Sequence, residues 1–218
     1  HSLHAYFLRR GDMKAPVFYE VDCLRDGGSF SFRRILATQN DKPIFNLAAS
    51  FQKPEKGLEY QLLMPDVEGP DNLVDLTDIA KKSLDKIPKQ MHRYLTKKRP
   101  FEFRPVNPHD LLNPRPTEPK KYIWIKSLSS LPNQSSLHQA FLAYVSDYAL
   151  LSTSLLPHGL SFGSGNLMMA SLDHALWFHR MVKIDEWHLY AMDSTNSSGG
   201  RGFSRGEIFN QKGVLVAS

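Results

Sequence analysis

"SSLHQAFLAYVSDYALLSTSLLP", residues 135–157, is the stretch on which the fold turns. Ser136 and Gln139 stand at capping-box spacing near its start, and Pro157 and Gly159 supply the stop, so it reads as one helix of about five turns. Leu137, Phe141, Tyr144, Tyr148, Leu151 and Leu155 form a stripe at three- and four-residue spacing, and Leu142, Ala143, Ala149 and Leu150 make the remaining face apolar as well. A helix that is apolar nearly all round is expected to be buried. One residue breaks the pattern: from Ser127 to Leu172 there is no Lys, Arg or Glu, and the only Asp is Asp147. On a helical wheel it falls about 80° from the centre of the stripe, toward the packed side. A buried carboxylate must be hydrogen-bonded, paired, protonated, or poised for chemistry with a raised pKa. A solvated or hydroxyl-bonded Asp at the helix edge is the plainer alternative.

What surrounds the helix is strand-like. Residues 16–50 read PVFYEVDCLRDGG, SFSFRRILATQNDKP and IFNLAAS, three runs split by turn formers, and 187–218 read WHLYAMDSTNSSGG, RGFSRGEIFNQKG and VLVAS in the same order. A further apolar strand with a basic end precedes each set, HSLHAYFLRR in one and SLDHALWFHR in the other. Two copies of one antiparallel meander are therefore expected, each curled around a central helix. The first copy's helix would lie upstream of His1. The expected division is a first domain over 1–52, a linker over 53–98 and a second domain over 99–218, with the chain forming part of a larger protein.

Composition narrows the function classes. The 218 residues are 41% hydrophobic, enough for one large or two small cores. The net charge of +5 resides in residues 81–99, which hold eight Lys/Arg against Asp85 and leave −2 for the remainder. Such a run is read as a solvated face or linker, and no nucleic-acid partner is expected. Cys23 is the sole cysteine, which excludes an intrachain disulfide and a multi-Cys metal site and suits a reducing compartment. No membrane span is expected, because polar residues, Pro and Gly interrupt the uncharged region. His174 and His179 with Asp173 do not make a metal site, since that spacing puts the two imidazoles on opposite strand faces. "GSGN" at 163–166 and "NSSGG" at 196–200 read as ordinary turns. Alternation in 168–180 puts Ser171 and Asp173 on one side of a strand. A hydroxyl near Asp147 could share a water with it, as general-base hydrolysis requires.

The segments "HSLHAYFLRRGD", "LRDGGSFSFRR", "KPIFNLAASFQ", "YVSDYALL", "SLDHALWFHR" and "RGFSRGEIFNQKGVLVAS" resemble, in order, those of the acyl-CoA thioesterase II family, the bacterial thioesterase B and peroxisomal long-chain type. The resemblance implies an α+β double hot-dog fold, with the first copy lacking its N-terminal helix in this chain. It also implies hydrolysis of medium- or long-chain fatty acyl-CoA to fatty acid and coenzyme A. The family's Asp matches Asp147 in "SDY" and its Ser/Thr matches Ser171 before "LDH"; its Gln is expected three residues beyond Ser218. Asp147 would be the base and Ser171 would orient the water. Backbone N–H groups near a buried helix N-terminus would suit the carbonyl oxygen as donors, with no residues assigned to them. The acyl chain would need a tunnel between helix and sheet, and residues 81–99 are candidates for a basic rim at the coenzyme A head. No metal or redox cofactor is implied, coenzyme A being part of the substrate. A homo-oligomer in the peroxisomal matrix or bacterial cytoplasm is expected. The alternative is a non-catalytic double hot-dog module that binds acyl-CoA or a protein partner.

Overall fold

The structure, a computed structural model, describes residues 1–218 apart from 83, 87–91, 93–95, 109–113 and 162–166. It divides into two units, His1–Tyr60 with Met169–His179, and Gln61–Met168 with Arg180–Ser218. "GSGN" and much of the basic run at 81–99 lie outside the described residues.

The first unit is an antiparallel sheet of β1 (Ser2–Phe7), β2 (Phe18–Asp26), β3 (Phe30–Gln39), β4 (Lys42–Gln52) and β7 (Asp173–Trp177), in the order β2-β3-β4-β1-β7. Local chemistry sets its turns. Asn40 and Asp41, at φ 48° and 57°, make the two-residue connection of β3 to β4 that follows the right-handed strand twist. At "RDGG" the Gly27 N–H donates to the Phe30 carbonyl at 2.9 Å. Val21, Ile35, Leu47 and Ala5 align across four strands on one face, while Asp22 and Arg34 pair at 2.6 Å on the other. Strand β7 corrects the repeat as read from sequence. "SLDHALWFHR" was expected with the second copy, yet Leu176 pairs with Leu3 and Ala175 with His4, in the first unit's sheet. β7 takes the edge beside β1, and a pairing between residues this far apart in sequence has no local signal.

The second unit holds β5 (Phe101–Pro105), β6 (Lys120–Ser127), β8 (His188–Ser198), β9 (Arg201–Asn210) and β10 (Leu215–Ala217), in the order β10-β9-β8-β6-β5. "NSSGG" is the tight turn from β8 to β9, with Gly199 and Gly200 at φ 57° and 70°. One face of this sheet carries Trp124, Leu189, Ala191 and Phe209, closed over by Met64, Val67 and Leu73. Gln61 fastens that cover: its amide donates to the Gly213 carbonyl at 2.7 Å and accepts from the Leu215 N–H at 3.0 Å. The Trp124 indole N–H donates to the Glu68 carbonyl at 2.8 Å. Residues 61–73, expected within a linker over 53–98, are thus part of the second unit's core, because their scattered apolar side chains fill a sheet face. Asp75 ties on the helix α1 (Leu76–Lys82) that follows, accepting the Thr77 N–H at 2.7 Å and the Phe103 N–H at 3.0 Å.

The opposite face carries Ile123, Ile125, Tyr190, Met192 and Ile208, and against it lies α2 (Ser135–Ser146). Its buried positions are His138, Leu142, Val145 and Ser146, so the stripe that faces the sheet sits one residue along from the one read by spacing. The predicted stripe flanks it. Phe141 and Tyr144 meet Phe101, Tyr148 stacks on Phe103 at 5.4 Å, and Tyr144 remains half exposed. Aromatic rings can lie along an interface edge with one end wet, which is how a helix apolar nearly all round comes to be buried on one side only. The expected capping box does not form. The cap position is Gln134, which makes no side-chain bond to the helix end, and its amide donates to the Ser136 hydroxyl at 3.1 Å.

Candidate functional site

The helix stops at Asp147, two turns before its predicted end. Asp147 is the C-terminal cap of α2, Ala149 adopts a left-handed backbone at φ 72°, and the chain resumes as α3 (Leu150–Thr153) and a 3₁₀ turn over Leu156–His158 that closes at Gly159. A left-handed conformation costs an alanine on the order of 1–2 kcal/mol, and such strain persists only where surrounding structure imposes it. At this site the imposing contacts are non-local. The Tyr190 hydroxyl donates to the Ser146 carbonyl at 2.6 Å, Lys121 donates to the Ser152 hydroxyl at 2.7 Å, and α3 lies so close to β9 that a Cβ at Gly202 would fall 2.4 Å from the Ser154 hydroxyl oxygen.

The break changes the placement expected of Asp147. A continuous helix would have kept it at the border of a packed stripe; as a terminal cap its side chain is exposed. The carboxylate is still coupled to the interior. Tyr190 is fully enclosed, and its phenol is pushed well above its ordinary pKa, first by burial and next by the negative charge of Asp147, with a smaller push from Glu207. The phenol therefore stays protonated as a donor across the physiological range. Tyr144 and Tyr148 stand on either side of Asp147 in sequence with their hydroxyls 2.8 Å apart, and their rings stack on Phe101 and Phe103.

Ser171 lies two residues ahead of β7, not inside a strand, so the alternation that set it beside Asp173 does not extend to it. It is half-buried, and next to it the Leu172 carbonyl accepts the Phe7 N–H at 2.9 Å. Ser171 belongs to the first unit and Asp147 to the second. Among the described residues, no cluster of three or more His, Cys, Asp or Glu could hold a metal ion, and no helix is long and apolar enough to cross a membrane. Tyr190 was missed in the sequence because it stood within the apolar run "WHLYAM". Its signal was the hydroxyl, for a buried tyrosine usually finds a partner.

Two five-stranded antiparallel sheets, one of them packed on a helix, define the double hot-dog class. A hot-dog protein of unknown function from Alicyclobacillus acidocaldarius has the same fold, with a TM-score of 0.74 at 15% identity over 99% of this chain and 74% of its own. Family models for acyl-CoA thioesterase match residues 91–218 and, for the N-terminal domain of such enzymes, residues 1–52. Acyl-CoA thioesterase 2 of Haemophilus influenzae is 38% identical over 218 residues, spanning 100% of this chain and 76% of the relative. A crystal structure of an acyl-CoA thioesterase II from Mycobacterium marinum is also 38% identical, with a TM-score of 0.79, over 100% of this chain and 76% of that one. The chain belongs to the acyl-CoA thioesterase II family of thioester hydrolases.

Proposed function

We propose that the protein hydrolyses medium- or long-chain fatty acyl-CoA with Asp147 as general base. The carboxylate takes a proton from water as the oxygen attacks the thioester carbonyl carbon, and the carbon–sulfur bond breaks with that proton passing from Asp147 to the leaving sulfur, which releases coenzyme A and the fatty acid and restores the base. Ser171 orients the water, and a Gln beyond Ser218 completes the set. Ser171 is not the nucleophile in this scheme, which uses no metal or redox group. The observation that supports the reading is the position of Asp147, the lone acid of a long uncharged region, at a strained helix end. An intracellular, reducing compartment fits the free and exposed Cys23. Assembly as a homo-oligomer fits the apolar side chains of Tyr19, Val21 and Leu24 exposed on the edge strand β2. The test is thiol release from palmitoyl-CoA by the full-length protein. Asp147→Asn should lower kcat by about 10²–10⁴-fold, the usual worth of a positioned proton acceptor. Turnover unchanged in that variant would sink the mechanism; no turnover by the folded wild type, with acyl-CoA still bound, would make the protein a binding module.

A further inference from the structure

A carbonyl in the last turn of a helix lacks a partner within that helix, and when buried it must find one elsewhere. Ser146 ends α2, and its carbonyl is reached by the Tyr190 hydroxyl at 2.6 Å. That carbonyl and the N–H of Asp147 belong to a single rigid peptide plane. Holding its oxygen therefore fixes the plane from which the Cα of Asp147 projects. On the other side of Asp147 the Tyr148 N–H bonds the Val145 carbonyl at 3.0 Å, and Ala149 turns the chain away at φ 72°. Tyr190 is itself immobilised. It is the third residue of β8, on the helix-facing side, paired with Ile123 and Ile208, and Gly206 leaves the space its ring occupies: a Cβ there would meet the ring edge at 2.3 Å.

We propose that Tyr190 is a positioning residue for Asp147, anchoring the Ser146–Asp147 peptide to the sheet so that the carboxylate leaves the helix end in one direction. This rests on the reading of Asp147 as the base. Tyr190 touches no substrate and moves no proton. Its phenol, kept protonated by burial and by the neighbouring negative charge, remains a donor throughout the working pH range.

The test is a double-mutant cycle of Tyr190→Phe and Asp147→Asn in the full-length enzyme, assayed well below the melting temperature of each variant. Tyr190→Phe should lower kcat by about ten- to a hundredfold, as small misplacements of a reacting group do, with KM for palmitoyl-CoA changed less than about twofold. The same substitution should cost almost nothing further in the Asp147→Asn background, since its effect passes through the carboxylate. A merely structural tyrosine would lower the melting temperature and leave kcat alone. Should Tyr190→Phe fold poorly, Gly206→Ala keeps the hydroxyl but crowds the ring, and the same selective loss of kcat is expected. Full activity in a folded Tyr190→Phe enzyme alongside an inactive Asp147→Asn overturns the positioning role and leaves the base intact. A loss undiminished in the Asp147→Asn background also overturns it, because Tyr190 would then act on something else. An Asp147→Asn enzyme as active as wild type overturns the base, and with it the reason for positioning.

Discussion

The two units are built from similar meanders but bury them very differently. In the second, Leu189 is 0% exposed, Ile208 1% and Met192 2%, because α2 covers one sheet face and residues 61–73 the other. In the first, Val21 is 55% exposed, Tyr19 67% and Phe51 53%, and the described residues of that unit contain no helix. Alternation of apolar and polar residues makes a strand; it does not supply the layer that takes the strand's apolar side out of water. In the second unit the break in the helix is held against the sheet by Tyr190, by Lys121 and by the close approach of β9, and Asp147 resides there.

This contrast can be broken by cutting into each core. Leu142→Ala, at the centre of the helix–sheet contact, should destabilise the protein by about 2–5 kcal/mol, whereas Val21→Ala on the exposed edge should cost less than about 1 kcal/mol. Equal shifts in denaturant midpoint for the two would mean that the first sheet is covered after all. Filling space makes a second, milder comparison. Gly202→Ala drives a methyl toward the Ser154 hydroxyl and should cost about 1–3 kcal/mol. Gly28→Ala meets nothing within 4 Å and should be neutral or stabilising by up to about 1 kcal/mol. Thermal melts read both.

The smallest effect is one of pH. His188 lies at the start of β8, is 1% exposed, and has its pKa lowered, chiefly by burial, against weaker opposing pulls from the Glu186 carbonyl and nearby acids. The unfolded chain therefore binds this proton more readily than the folded one. Stability from His188 is fully present above the ordinary histidine value near 6.5 and declines as pH falls through it toward the lowered folded value. Melting curves between pH 8 and 5 should show the decline, and His188→Asn should flatten it. An unchanged slope in the variant would assign the acid sensitivity to other groups.

Much of this molecule is legible locally. The turns at "QNDKP" and "NSSGG" carry residues suited to positive φ, and they close hairpins where expected. Asp147 was conspicuous because a charge in an uncharged helix demands a reason. The sequence did not reveal that the helix ends there, since no Gly or Pro marks the spot and Ala149 is an unlikely residue for a left-handed turn. Nor did it reveal that the helix buries the His138, Leu142 and Val145 face when two stripes were nearly equally apolar.

By itself, then, the amino-acid order determined two antiparallel meanders, one helix before the second of them, the acid worth testing and the family to which the chain belongs, because each depends on neighbours in sequence or on motifs read in order. Tertiary structure alone decided that β7 pairs with β1, that residues 61–73 close a core, and that Tyr190 holds the end of α2. Those outcomes are pairings between distant residues, selected by which surfaces can be covered together, and the strain at Ala149 survives only because the hydrogen bonds and packing around it arrive from β6, β8 and β9.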